Sequence, residues 1–208
     1  MFRVHATYII VLYVACELIA NATAGRITVI GPFMVSGAIF IFTLSFTLID
    51  LINEGMGKQA ARRVVYAAVI ANALLALYSI FVVNLPMPPG EFSGTALLES
   101  YRQVFGQTPR IVIASITAFV AAGLLDVELF ARLRKRINPG GRVVVSNAVG
   151  LLLDAVLFNS IAFLGVFTLG EIGSLVTGEY VMKIAVTFVS VPLIYLVRAV
   201  VTVEKSGS

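Results

Sequence analysis

Six long apolar stretches dominate the chain, at roughly 6–24, 32–53, 64–84, 110–131, 143–166 and 180–203. Each is close to the run of about 20 residues that an α-helix needs to cross about 30 Å of hydrocarbon. Within them the polar residues are periodic. The second stretch carries Thr43, Thr47, Asp50, Asn53, Glu54 and Gly57 at intervals of three and four, which puts them on one helix face. The fifth repeats this with Asn147, Gly150, Asp154 and Phe158, and the first spaces Tyr13, Glu17 and Asn21 by four. The sixth has Lys183, Thr187 and Ser190. In the fourth, Ala114, Ala118 and Ala122 lead to Asp126, a small-residue face suited to close helix packing. The pattern predicts an all-α integral membrane protein, a single polytopic domain over 1–208 with six transmembrane helices.

Composition strengthens that reading. The 208 residues are 59% hydrophobic and 12% charged, with a mean hydropathy of +0.99. Soluble domains are about a quarter charged, so no ordinary soluble domain fits. The net charge of +4 does not point to nucleic acid, because of where the basic residues lie. Eleven of fifteen (Arg3, Lys58, Arg62, Arg63, Arg132, Arg134, Lys135, Arg136, Arg142, Arg198 and Lys205) fall at the two termini or in the second and fourth connections. The positive-inside pattern then predicts cytoplasmic N- and C-termini for a multi-pass protein of the cell (inner) membrane, with anionic lipid as the partner of the basic patches.

The connections add detail. The third, 85–109, opens with Pro86-Met87-Pro88-Pro89-Gly90, which breaks a helix, and continues with Leu97, Leu98, Tyr101 and Phe105 at helical spacing. It reads either as a plain external loop or as an interfacial segment over an outer vestibule. Three spans on each side of it have opposite orientations, which is compatible with an inverted 3+3 arrangement. Ala22-Thr23-Ala24 resembles a signal cleavage site, but Glu17 interrupts the apolar run and only Arg3 precedes it, so the first span reads as a retained helix. Ser206-Gly207-Ser208 reads as a cloning remnant. Cys16 is the single cysteine and has no partner for an internal disulfide.

Charged groups at mid-membrane cost about 2.5–3.5 kcal/mol each, so Glu17, Asp50, Asp126 and Asp154 are the informative residues. Glu17 and Asp154 lie near mid-span with no basic residue expected at matching depth. Each is therefore expected to face a wet cavity, bind something or carry a proton. Glu54 is placed either to pair with Lys58 one turn away or to serve a site, and Glu128 to pair with Arg132. Lys183 can snorkel to the interface or act as a counter-ion. Thr43, Thr47, Thr187 and Ser190 can bond their own helix backbones or neighbouring helices.

Enzyme chemistry is not expected. His5, the single histidine, sits at the start of the first helix, so a serine protease lacks its intramembrane base. Asp126 and Asp154 lack the Gly-x-Gly-Asp setting of intramembrane aspartyl proteases. No metal-ligand set, phosphate-binding loop or cofactor motif is present in the sequence. Carboxylates, amides and aromatic residues on facing helices instead suit a carrier for a small planar solute rich in N–H donors.

Several blocks are recognisable. Asp50-Leu-Ile-Asn53-Glu54-Gly-Met-Gly57-Lys58-Gln-Ala-Ala-Arg62-Arg63 resembles the signature of the vitamin uptake or queuosine precursor transporter family. So do Thr108-Pro109-Arg110, Leu125-Asp126-Val127-Glu128, Ser146-Asn147-Ala-Val-Gly150 through Asp154 to Phe158, and Tyr180-Val-Met-Lys183. The resemblance implies six helices and a likeness to the substrate-binding subunits of energy-coupling-factor vitamin transporters. It implies import of 7-cyano-7-deazaguanine, 7-aminomethyl-7-deazaguanine or queuine for tRNA modification. Asp50, Asn53, Glu54, Asp126, Asp154 and Lys183 are then the substrate-binding candidates, joined by Asn147 and by Phe46 and Phe158 as stacking rings. Glu17 and Asp154 are the candidates for proton coupling. Homodimerisation or an ATP-driven energy-coupling partner is compatible with the sequence, as is another purine-like base or vitamin. Gly123 and Leu151 stand where the family often has amides, and Phe42-Thr43 where it has phenylalanine-proline.

Overall fold

The computed structural model describes residues 2–86, 96–132 and 139–204. The order is β1 (Phe2–His5), α1 (Ala6–Thr23), β2 (Ile27–Ile30), β3 (Phe33–Ser36), α2 (Ile39–Met56), α3 (Lys58–Val83), α4 (Ala96–Arg132), α5 (Pro139–Phe163), α6 (Leu169–Val200) and β4 (Val201–Glu204). Strand β1 pairs in parallel with β4, from Phe2 opposite Val201 to His5 opposite Glu204, so both ends of the described chain meet at one end of the bundle.

Side chains on α3 explain why these helices suit lipid. Its buried face is small or polar: Ala61, Val64, Ala68, Asn72, Ala76 and Ser79. Its exposed face is large and apolar, with Tyr66, Ile70, Leu74, Leu77 and Phe81 all at least half exposed. Water would penalise that outer stripe, whereas hydrocarbon does not, and the small inner residues let helices approach. Helices α1, α3 and the Ala96–Leu125 part of α4 are long and apolar enough to cross a bilayer, and Ile39–Asn53 and Asn147–Phe163 are shorter apolar helices.

Three expected boundaries differ from the structure. The second apolar stretch does not begin as a helix at 32. Residues 27–36 form an antiparallel hairpin closed by Gly31-Pro32, with Ile27 opposite Ser36, and α2 starts only at Ile39. A short apolar run cannot be assigned to helix or strand from hydropathy alone, and the turn pair with its β-branched flanks decides it. The segment around Leu97 and Tyr101 is neither a loop nor a separate cap. It is the first part of α4, which continues through Pro109 for 37 residues. Finally, α6 starts at Leu169 rather than near 180 because Thr168 and Glu171 form a capping box: the Thr168 N–H donates to Glu171 Oε2 at 2.8 Å, and the Glu171 N–H to Thr168 Oγ1 at 3.3 Å.

Packing falls into two clusters. Ile9, Tyr13, Cys16, Leu48, Ile52, Ala61, Val64 and Ala68 join α1, α2 and α3. Ala24, Ile111, Ala114, Ala162, Phe163, Ile172 and Leu175 join α4, α5, α6 and the end of α1. The expected small-residue face of α4 is packed, with Ala114 and Ala118 buried. Gly57 alone links α2 to α3. Its φ of +90° is one that side chains rarely adopt, and its N–H bonds to the Asn53 carbonyl. Arg110 ties the second cluster together, donating from Nε to the Ile161 carbonyl at 2.6 Å and from a terminal nitrogen to that of Leu164. Those carbonyls lie at the C-terminal end of α5, where helical partners run out.

Candidate functional site

A cavity of about 260 Å³ lies within the bundle, with walls from all six helices. Helix α1 turns Tyr13, Glu17 and Asn21 into it, as the spacing of four predicts. Helix α2 supplies Phe42, Ser45 and Phe46, α3 supplies Asn72, and α4 supplies Ser115 and Phe119. Asp154 and Phe158 come from α5, and Glu179 and Lys183 from α6. The hairpin end contributes Ser36, whose hydroxyl donates to the Ala24 carbonyl at 2.9 Å.

One wall is an ion cluster. Lys183, with its side chain 4% exposed, donates to Asp154 and, at 2.6 Å, to Glu179 Oε1 one turn away on α6. The Asn159 amide N–H donates to the second oxygen of Glu179 and to the Ala155 carbonyl at 2.9 Å. The Lys183 ammonium also lies 5.0 Å from the centre of the Phe42 ring, in cation–π range. Asp154 is therefore not without a basic residue at its depth, as the sequence suggested. The partner is Lys183, which is buried as a counter-ion and does not snorkel. Sequence depth alone misjudged this because α6 begins eleven residues earlier than expected, which moves Lys183 away from the helix end.

On the α1 side of the cavity Glu17 is the charged residue among the described lining residues. Ser45 on α2 donates its hydroxyl to Glu17 Oε1. The Asn21 amide N–H donates to Asn72 Oδ1 on α3 at 2.8 Å and to the Glu17 carbonyl at 3.2 Å, and the Asn72 amide donates to the Ala68 carbonyl at 2.9 Å. Glu17 has no basic partner among the described residues. Of the two residues proposed for proton coupling, Asp154 is thus ion-paired and Glu17 is not.

Among the other expected site residues, Phe46 and Phe158 line the cavity. Asn53 and Asn147 are exposed and are not part of its wall. The side chains of Asp50, Glu54 and Asp126, like those of Thr43, Thr187 and Ser190, lie outside the described residues, as do the proline run after Pro86, the basic residues 134–136 and the terminal Ser206-Gly207-Ser208. Glu128 and Arg132 pair as expected, at 2.5 Å on an exposed surface. Ala20 and Ala24 are buried and line the cavity. Glu179, Asn159 and Asn72 were missed by sequence reasoning. Glu179 stands four residues before Lys183, and that i,i+4 spacing was the available signal.

Comparison with known proteins supplies the family. The signature described as "Putative vitamin uptake transporter" matches residues 36–197, most of the chain. The chain belongs to this family. Its members are transporters, not enzymes. The chain is 28% identical over 177 residues to the "Probable queuosine precursor transporter" of Bacillus subtilis (strain 168), covering 83% of this chain and 72% of that protein. It is 32% identical over 123 residues to the protein of the same name in Haemophilus influenzae, covering 59% and 49%. It is 28% identical over 124 residues to the "Queuosine precursor transporter" of Escherichia coli (strain K12), covering 60% and 53%. The matches thus span only about half the length of the latter two relatives. No solved structure matches the chain.

Proposed function

We propose that this protein imports a queuosine precursor, a 7-deazaguanine base used for tRNA modification, and binds it in the six-helix cavity. The observation that carries the reading is that cavity's wall chemistry. Carboxylates and amides stand among Phe42, Phe46, Phe119 and Phe158, the groups needed to accept N–H donors and cover the faces of a flat ring. The relatives' names supply the substrate class. At about 260 Å³ the cavity is slightly smaller than the range of about 300–1,000 Å³ common for drug-sized ligands, which favours a free base over a nucleoside. Among the precursors, the compact 7-cyano and 7-aminomethyl bases fit more readily than queuine with its added ring. Asp154 and Lys183 then act together, as a charged wall rather than as separate ligands. Asp50, Asn53, Glu54, Asp126 and Asn147 remain candidate substrate-binding residues.

Uptake of labelled 7-aminomethyl-7-deazaguanine into proteoliposomes holding the purified protein tests this. Saturable uptake that unlabelled 7-deazaguanines compete away is expected, and failure of all three precursors to enter would refute it.

Proton-coupled uptake is a second reading, favoured by the lack of a basic partner for Glu17 among the described residues. The titratable groups around Glu17 are Tyr13 and Cys16 on its own helix and, lining the same cavity, Asp154, Glu179 and Lys183. Uptake driven by an imposed pH gradient without ATP would support it, and uptake indifferent to that gradient would exclude it.

A further inference from the structure

The two walls of the cavity differ in what they leave open. Around Lys183 the polar groups largely satisfy one another: the ammonium holds Asp154 and Glu179, and Asn159 holds the other oxygen of Glu179. On α1, acceptors are left over. Glu17 receives one hydrogen bond, from Ser45 to Oε1, and Oε2 receives none from any described residue. Asn21 uses its amide N–H twice, while its Oδ1 accepts nothing from any described residue. Glu17 is half-buried and Asn21 buried. Both residues line the cavity. A carboxylate oxygen and an amide oxygen that receive no described donor thus belong to two residues lining one cavity, four residues apart on one helix and separated by about 6 Å of helix rise.

We propose that Glu17 and Asn21 on α1 form the specificity-determining wall of this cavity and receive the N–H donor edge of the base, its ring N–H and exocyclic 2-amino group. The inference rests on the transport reading and assigns that reading's recognition step to residues outside the 36–197 match. A carboxylate is a pure acceptor and can take two parallel N–H donors from an amidine-like edge. Burying such an acceptor without a donor is costly, so a ligand lacking the 2-amino group leaves it unmet. Ser45 holds Oε1, and the Asn21–Asn72 bond fixes the neighbouring amide so that its oxygen, not its nitrogen, is the free atom. The aromatic rings of α2, α4 and α5 are left to cover the flat faces. Glu17 becomes a binding group here, a role distinct from carrying a proton.

The test compares binding of 7-deazaguanine and 7-deazahypoxanthine, which lacks the 2-amino group, to the purified full-length protein in detergent. The unaltered protein should favour 7-deazaguanine. Glu17→Gln should weaken 7-deazaguanine by about ten- to a hundredfold, the scale of a lost charge-assisted hydrogen bond, and bring the two ligands close to equal affinity. Asn21→Ala should shrink the preference in the same direction, and it is judged by the same criterion if Glu17→Gln does not fold. A preference that survives these changes overturns the inference while the transport reading stands. So does a Glu17→Gln protein that loses only the pH dependence of uptake. If the unaltered protein binds neither base, the inference falls, while the transport reading is decided by uptake of the three precursors.

Discussion

Lys183 on α6 and Asp154 on α5 form a buried ion pair, and the same ammonium holds Glu179 one turn away at 2.6 Å. Two carboxylates on different helices therefore depend on one cation. Removing one partner of a buried pair costs about 3–5 kcal/mol, because the other charge stays in a low-dielectric site. Lys183→Met is expected to lower the free energy of unfolding in detergent on that scale. The double variant Lys183→Met/Asp154→Asn should lose less stability than Lys183→Met alone, since one stranded charge is gone. Equal losses in the two variants would show that the pair does not couple the helices.

Gly178 faces the hairpin at a distance that admits no side chain. A Cβ built there would lie 2.1 Å from the Met34 carbonyl oxygen, a backbone atom that cannot swing aside. Gly178→Ala must therefore push α6 away from β3, with an overpacking cost of about 1–3 kcal/mol. Gly123→Ala, where nothing lies within 4 Å, should be tolerated. Thermal melts of both variants check this, and equal midpoints would contradict the close approach.

Arg110 donates two hydrogen bonds to carbonyls at the end of α5. Hydrogen bonds to a charged group contribute about 1.5–3 kcal/mol each, so Arg110→Met should destabilise the α4–α5 contact by at least one such bond. Arg110→Lys, a point charge without the forked geometry, should recover part of the loss. Faster proteolysis between α5 and α6 in Arg110→Met is the expected reading. Unchanged cleavage would mean that the Arg110 bonds do not hold that end.

The α6 capping box gives a pH dependence outside the spanning segments. Hydrogen bonds from the backbone N–H and the hydroxyl of Thr168 hold the Glu171 carboxyl below the usual glutamate range. Its folded-state value is thus below its unfolded one. The stabilisation is complete above the ordinary value of about 4.3 and disappears as the pH falls through the lowered folded value. Glu171→Gln should flatten the stability profile in that acidic window and leave neutral behaviour little changed. An unaltered acid limb in Glu171→Gln would assign the effect elsewhere.

Much of the architecture was legible in the chain itself. The long apolar stretches announced membrane-capable helices, and the spacing of Tyr13, Glu17 and Asn21 announced a polar face that the cavity indeed uses. The motif blocks pointed to the family that the comparison supplied. What could not be read was local or depended on neighbours. Hydropathy does not separate the β2–β3 hairpin from a helix, and Pro109, the end of the expected third connection, lies inside α4 because the surrounding turns carry the helix past it.

The sequence by itself determined which residues favour lipid and which helix faces are polar, because those properties repeat with the helix's own period. Only the tertiary structure decided which polar groups meet. Asp154 found Lys183 across 29 positions and Ser45 found Glu17 across 28, and neither pairing follows from local spacing. Low dielectric makes each such meeting decisive. A carboxylate that finds a cation becomes part of the wall, and one that finds only a hydroxyl is left with an oxygen that receives no described donor.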